Sequence, residues 1–247
     1  MSGLYLPARQ VYEGDVILVN AAHPLRGAAP PPLAAADPAQ PEVLLHPKAA
    51  LLLAACIRAA GGEGRIRQVS GWRSAAQQQA IWEDSLAAHG EAFTRSYVAL
   101  PGCSEHQTGL AIDLGQKSAV IDLIRPAFGY DGACGAFRRL AARYGFVQRY
   151  EKGKEALTGI ACEPWHFRYV GAPHALLMER HGLCLEEYAA FLQQGPRTVS
   201  LPGGRTAQVF YVPCPGGGVQ LDLPRGCCQV SGDNDAGFIV TAWGCAV

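Results

Sequence analysis

The chain has 247 residues, with 21 lysines and arginines balancing 21 aspartates and glutamates, so no overall field draws it to nucleic acid or to an anionic membrane. That length carries one large core, or a core domain with an appendage. The most apolar early run, Leu51 to Cys56, is far shorter than the roughly 20 residues a bilayer span takes, and no membrane span is expected.

In chain order, Val11 to Asn20 alternates and then runs apolar, which predicts a strand. Pro24 to Pro41 is rich in proline and alanine and reads as an extended surface excursion. Pro47 to Ala60 predicts a helix stopped by Gly61 and Gly62. Ile66 to Ser70 reads as a strand leading into Gly71-Trp72-Arg73. Ser74 then suits the N-cap of a helix from Ala75 to Ala88, ended by His89 and Gly90. Phe93 to Cys103 follows as a loop, and Leu110 to Ile112 as a short buried strand arriving at Asp113. Ala133 to Tyr144 predicts another helix. Phe146 to Tyr150 and Glu163 to Val170 complete a small sheet, and Ala172 to Gln194 is helical with a break near Gly182. Helices on one side of a small, mostly antiparallel sheet make an α+β fold.

From Thr198 the pattern changes. Val199 to Leu201, Ala207 to Val212, Val219 to Leu223, Cys228 to Ser231 and Phe238 to Ala242 are short β-rich runs divided by glycine, proline and Asp-Asn-Asp punctuation. They predict a small β-rich C-terminal appendage over residues 197–247, beside a catalytic domain over residues 1–196. The appendage reads either as a cover for the core or as a wall- or partner-binding module; its lack of aromatic repeats favours the cover. Nine cysteines, with no basic-then-apolar order in Met1 to Gln10, lead us to expect reduced thiols and a cytoplasmic location. Cys103 and Cys162 read as small buried apolar residues.

The chemistry concentrates in SEHQTGLAID (Ser104 to Asp113) and EPWHFRYVG (Glu163 to Gly171). His106, Asp113 and His166 offer two neutral imidazoles and one carboxylate. Such a set suits a catalytic zinc, which takes three protein ligands and keeps a fourth position open. Glu163 is a second carboxylate close to the last histidine, available for proton transfer. Glu163 and His166 are three apart, which would place them on one helix face. However, Pro164 and the aromatic run after it argue for a strand. There the two would point to opposite faces unless Pro164 forces an irregularity. On spacing alone, two structural histidines capped by nearby carboxylates account for the pattern equally well. His23, His46 and His89 mark turns and helix ends. His174 and His181 lie seven apart on one helix face with no carboxylate in the stripe, so they read as exposed or capping side chains rather than a second metal site. Trp72 and Trp165 read as cleft walls or as core.

The stretches SGWRSAAQQQ, SEHQTGLAID and TGIACEPWHFRYVG resemble the zinc D-alanyl-D-alanine carboxypeptidases and dipeptidases of the vancomycin-resistance type, the VanY, VanX and VanXY family. The family pattern runs Ser-x-His-x-x-Gly-x-Ala-x-Asp and then Glu-x-x-His. Ser104, His106, Gly109, Ala111, Asp113, Glu163 and His166 match it without a gap. With LVNAAHPLR (Leu18 to Arg26), the resemblance covers Val16 to Gly182. It implies a hedgehog/D,D-peptidase-like fold and one zinc ion (Zn2+) per chain, held by His106, Asp113 and His166. It further implies Glu163 as general base and acid, Arg73 near the scissile carbonyl, and Gln78 and Ser104 at positions that hold the substrate's terminal residue. The implied substrate is a small peptide ending in D-Ala-D-Ala: soluble peptidoglycan precursors, and the free dipeptide as well. No obligate protein partner is implied. A peptidoglycan endopeptidase and a non-catalytic zinc-binding module of the same fold are the alternatives; Glu163 and Arg73 argue against the second.

Overall fold

The computed structural model describes residues 2–27, 30–201, 203–223 and 226–244. Its elements are β1 (Ser2–Pro7), β2 (Ala34–Asp37), β3 (Gln40–Leu45), α1 (Pro47–Ala59), β4 (Ile66–Ser70), α2 (Ala75–Tyr97), β5 (Ala111–Gln116), α3 (Gly132–Ala141), β6 (Phe146–Tyr150), α4 (Glu155–Thr158), β7 (Glu163–Tyr169), α5 (Ala172–His181), α6 (Leu185–Gln193), β8 (Arg197–Ser200), β9 (Thr206–Pro213), β10 (Gly218–Leu223), β11 (Cys227–Gly232) and β12 (Gly237–Trp243). Single 3-10 turns cover Ala8–Tyr12, Glu105–Thr108 and Ala142–Tyr144. The α+β class read from the sequence is the class observed.

Contacts divide the chain into two compact units. One runs from Val19 to Tyr169. The other joins the residues up to Leu18 to those from Val170 onward. The C-terminal β-rich residues therefore share a unit with β1, α5 and α6, a grouping different from the expected division at residues 196 and 197.

The first unit is organised by an antiparallel sheet in the order β4-β5-β7-β6. Successive side chains on a strand face opposite sides. Ile112 and Leu114 of β5, with Trp165, Phe167 and Tyr169 of β7, join the apolar core, where they meet Leu53 and Ile57 of α1 and Phe137 of α3. Phe128, Phe137 and Phe167 pack edge to face with centroids 5.0 to 5.8 Å apart, the geometry that aromatic quadrupoles favour. The residues between them, Asp113, His166 and Arg168, are equally buried but belong to the opposite face. One sheet thus separates oil from chemistry.

Helix boundaries follow local signals. Pro47 opens α1, and His46 caps it by accepting the Lys48 amide on Nδ1. Ser74 and Gln77 form a reciprocal capping box at the start of α2. The expected stop at Gly90 is a break, with φ 78° and ψ 173°, after which the chain resumes helix to Tyr97. The loop expected from Phe93 is therefore helical in its first part.

Two other expectations are corrected. Val11 to Asn20 is a 3-10 turn followed by irregular chain rather than a strand; Val16, Ile17 and Val19 are buried without joining a ladder. The alternation reports burial there, not pairing. The Pro24 to Pro41 segment contains β2, which pairs with β3 in a hairpin; residues 28 and 29 of that segment lie outside those described.

In the second unit, β11-β12-β9-β8 form an antiparallel sheet and β1 pairs with β10. Pro202 and the Pro224-Arg225 part of one expected divider lie outside the described residues. His174 is not exposed, as read from the sequence, but buried. Its Nδ1 lies 2.9 Å from Tyr188 Oη and its Nε2 3.1 Å from Thr241 Oγ1. No helix among the described residues is long and apolar enough to cross a membrane.

Candidate metal centre

Asp113 on β5 and His166 on β7 are direct cross-strand partners, the closest pairing a sheet offers. Their side chains share the face opposite the apolar core. His106 comes from the 3-10 turn just before β5, where Gly109 closes the turn in the left-handed region (φ 71°). That reversal returns the chain so that His106 Nε2 is 3.2 Å from Asp113 Oδ2. His166 Nδ1 is 3.0 Å from Asp113 Oδ1. Donor atoms of the three residues all lie within 4.8 Å of one another, and all three side chains are buried.

Glu163 reaches the same place because β7 is irregular. Gln148 of β6 pairs with Phe167, but Tyr150, two residues on, pairs with Glu163, four residues back. The extra residues on β7 undo strict alternation. Glu163 Oε2 therefore sits 3.6 Å from His166 Nδ1. A second irregularity sets Ser70, rather than Val69, opposite Asp113. Just beyond it, Arg73 donates from Nη2 to Asp113 Oδ2 at 2.9 Å and from Nε to Ser70 Oγ at 2.9 Å.

The residues fit a zinc ion. His106 Nδ1 lies 2.6 Å from the Gly71 carbonyl oxygen; donating its proton there leaves the Nε2 lone pair for a metal. Asp113 Oδ1, though 3.0 Å from His166 Nδ1, has no aligned hydrogen-bond partner. Two electron-pair donors side by side, both buried, suit a shared cation. Two imidazole nitrogens and one carboxylate are a known catalytic zinc set.

Burial dominates the electrostatics, and each group resolves it differently. Burial, with Arg73 nearby, pushes the His106 imidazole down to about 4, so the ring is neutral. Burial pushes the Glu163 carboxyl up to about 8. Burial would also raise Asp113, but the two histidines outweigh it and hold the carboxyl well below its ordinary range. For His166, burial acts downward, yet the nearby carboxylates of Asp113, Glu105 and Glu163 outweigh it and lift the imidazole to about 9.

All seven residues singled out from the sequence line one cavity of about 320 Å3: His106, Asp113, His166, Glu163, Arg73, Gln78 and Ser104. Trp165 lines it too. Gln78 is buried and committed at both ends, accepting from Arg73 Nη1 (3.4 Å) and donating to the Ala99 carbonyl (2.9 Å). In this arrangement it braces Arg73.

One residue escaped the sequence reading. Glu105 is buried, its Oε1 bound to Arg149 Nε at 2.8 Å and Arg168 Nη1 at 3.1 Å. Those two cations outweigh burial and keep it ionised. Its Oε2 lies 3.6 Å from His166 Nε2. The available signal was a carboxylate inside the first motif, next to His106, with two arginines on apolar strands and no polar face to occupy.

Comparison with known proteins agrees with this geometry. Residues 42–172 match the family described as VanY, D-alanyl-D-alanine carboxypeptidase. The bifunctional D-Ala-D-Ala dipeptidase and D-Ala-D-Ala carboxypeptidase VanXYC of Enterococcus gallinarum is 44% identical over 182 residues, 73% of this chain and 96% of that protein. A D-alanyl-D-alanine carboxypeptidase of Enterococcus faecium is 33% identical over 186 residues, 74% of this chain and 55% of its own. Among solved structures, the vancomycin resistance D,D-dipeptidase VanXYg, in complex with a D-Ala-D-Ala phosphinate analog, superposes with a TM-score of 0.95 at 43% identity, covering 98% of each chain. A variant of the D,D-pentapeptidase VanY from the VanB-type resistance cassette, in complex with Zn(II), gives 0.59 at 30% identity over 70% of this chain and 98% of that one.

Proposed function

Because the chain belongs to the VanY family of D-alanyl-D-alanine carboxypeptidases, we propose that it is a zinc hydrolase that removes the terminal D-alanine from peptides ending in D-alanyl-D-alanine and also cleaves the free dipeptide. The observation that carries this reading is the Glu163 carboxylate placed 3.6 Å from His166, inside the same cavity as the three-residue donor set. A purely structural metal site has no use for such a group. The wall endopeptidase and the non-catalytic module are not favoured, since the relatives that match over most of the chain are D-Ala-D-Ala peptidases.

His106 Nε2, Asp113 and His166 Nδ1 would hold one zinc ion per chain. When bound, the ion supplies Lewis acidity, polarising the scissile carbonyl and acidifying the attacking water. Glu163 takes the proton from that water and passes it to the departing amine of D-alanine, a service worth roughly 100- to 10,000-fold. Burial favours the protonated form of this carboxyl, which helps it in the second, acid half of the cycle. Arg73 lies along the cavity wall with its guanidinium fixed by Ser70, Gln78 and Asp113. It stabilises negative charge as it develops on the carbonyl oxygen. Ser104 and Gln78 border the space for the terminal residue. Soluble wall precursors in the cytoplasm are the proposed natural substrates.

The test is release of D-alanine from an acyl-D-alanyl-D-alanine peptide and from free D-alanyl-D-alanine by the zinc-loaded protein. Release from both supports the reading, and release from neither overturns it.

A further inference from the structure

Behind the metal centre lies a buried charge cluster that the reaction does not use directly. Glu105 precedes His106 on the 3-10 turn, Arg149 comes from β6 and Arg168 from β7. Each of the three is at most 1% exposed. Taking such charges out of water costs several kcal/mol per ion, so an apolar trio would hold the fold as well. Both guanidinium contacts fall on one oxygen, Oε1. Among the described residues the other, Oε2, has no hydrogen-bond partner, and neither has His166 Nε2, 3.6 Å away. Both atoms are buried, and each lies close enough to the other to become its partner. The separation exceeds a normal hydrogen bond by about half an ångström, so the bond needs a small rotation of the ring.

We propose that Glu105, clamped by Arg149 and Arg168, is a positioning residue that fixes His166 as an Nδ1 ligand by accepting a hydrogen bond from its Nε2. The inference rests on the metal-binding reading of His166. An imidazole with Nε2–H committed to a carboxylate must present its lone pair on Nδ1, the atom that faces Asp113 and Glu163. His106 is oriented in the mirror sense, with Nδ1 against the Gly71 carbonyl and Nε2 toward Asp113. The two ligand histidines thus use opposite nitrogens, and each is set by a different partner. The two arginines occupy Oε1 and so keep the carboxylate from turning away.

The Glu105→Gln substitution keeps shape and an oxygen for the arginines but turns an N–H2 toward His166 Nε2. Donor then meets donor, and the ring is driven to the tautomer with its proton on Nδ1, the wrong one for the metal. The experiment measures zinc affinity by chelator competition for the wild type, E105Q and E105D, with folding checked by circular dichroism. In parallel, the His166 Nε2–H is followed by 1H–15N NMR in the zinc-loaded protein. Removing such an outer partner costs about 10- to 100-fold in metal affinity. The expected result is a loss of that size in E105Q and a smaller loss in E105D. The wild type should show a downfield, slowly exchanging Nε2–H that E105Q lacks. Wild-type affinity and an unchanged Nε2–H signal in a folded E105Q would overturn the inference while leaving the zinc reading intact. Failure of the wild type to bind zinc would overturn both. If E105Q does not fold, E105D decides: weakened zinc binding supports the proposal, and unchanged binding sinks it.

Discussion

Glu163 and His166 lie three residues apart on one strand, yet the carboxylate of the first sits 3.6 Å from the ring of the second. A regular strand would send them to opposite faces. The register irregularity between β6 and β7 brings the proposed acid–base group beside a proposed metal ligand. The Glu163→Gln variant keeps the shape of the side chain but cannot carry the proton. Turnover should fall by roughly 100- to 10,000-fold, while zinc stays near one per chain by atomic absorption. Loss of the metal together with activity would show that Glu163 acts as a ligand instead.

Arg73 contacts Ser70, Gln78 and Asp113 through three different nitrogens. A lysine cannot reproduce that fork. The Arg73→Lys variant should lose roughly 100- to 1,000-fold in kcat, with a much smaller change in KM. A change confined to KM would mean that Arg73 binds substrate without stabilising the developing charge.

Gly71 marks a close approach of backbone. A Cβ there would lie 2.2 Å from the Leu44 carbonyl oxygen, which already receives the Trp72 amide at 2.6 Å. Its own carbonyl orients His106. Gly71→Ala should therefore cost about 1 to 3 kcal/mol in urea denaturation and weaken zinc binding as well. Stability lost with zinc affinity untouched would separate the strand contact from the ligand.

His174 provides a pH test away from the centre. Burial pushes its pKa down to about 4, against an ordinary value near 6.5. Between those values the unfolded chain binds the proton that the folded chain refuses, so stability rises with pH. It is complete above about 6.5 and drains away as pH falls toward about 4, by up to roughly 3 kcal/mol. Denaturation midpoints of the wild type should drop over that window more steeply than those of His174→Gln. Parallel slopes would refute the assignment.

Much of this architecture was legible in the sequence. The ends of α1 and the start of α2 were marked by proline, serine and glycine. Asp113, His106 and His166, the candidate metal ligands, were marked by residue type and motif. What stayed hidden depended on pairing. The apolar run near Val16 looks like a strand because burial and laddering leave the same alternation in sequence. The partnership of β1 with β10 joins segments more than two hundred residues apart, beyond any local signal. The strand reading left open how Glu163 could reach His166, since a bulge shows only against the neighbouring strand. Glu105 was overlooked because a carboxylate's role here is set by Arg149 and Arg168, which the fold brings to it from distant strands.

The sheet that carries Asp113 and His166 on one face carries Ile112 and Phe167 on the other. A slip of β7 by a single residue would drive His166 and Arg168 into the greasy interior and lift Phe167 out of it. A misregistered chain would therefore lose its packed interior and its candidate metal site together, so one pairing decides both.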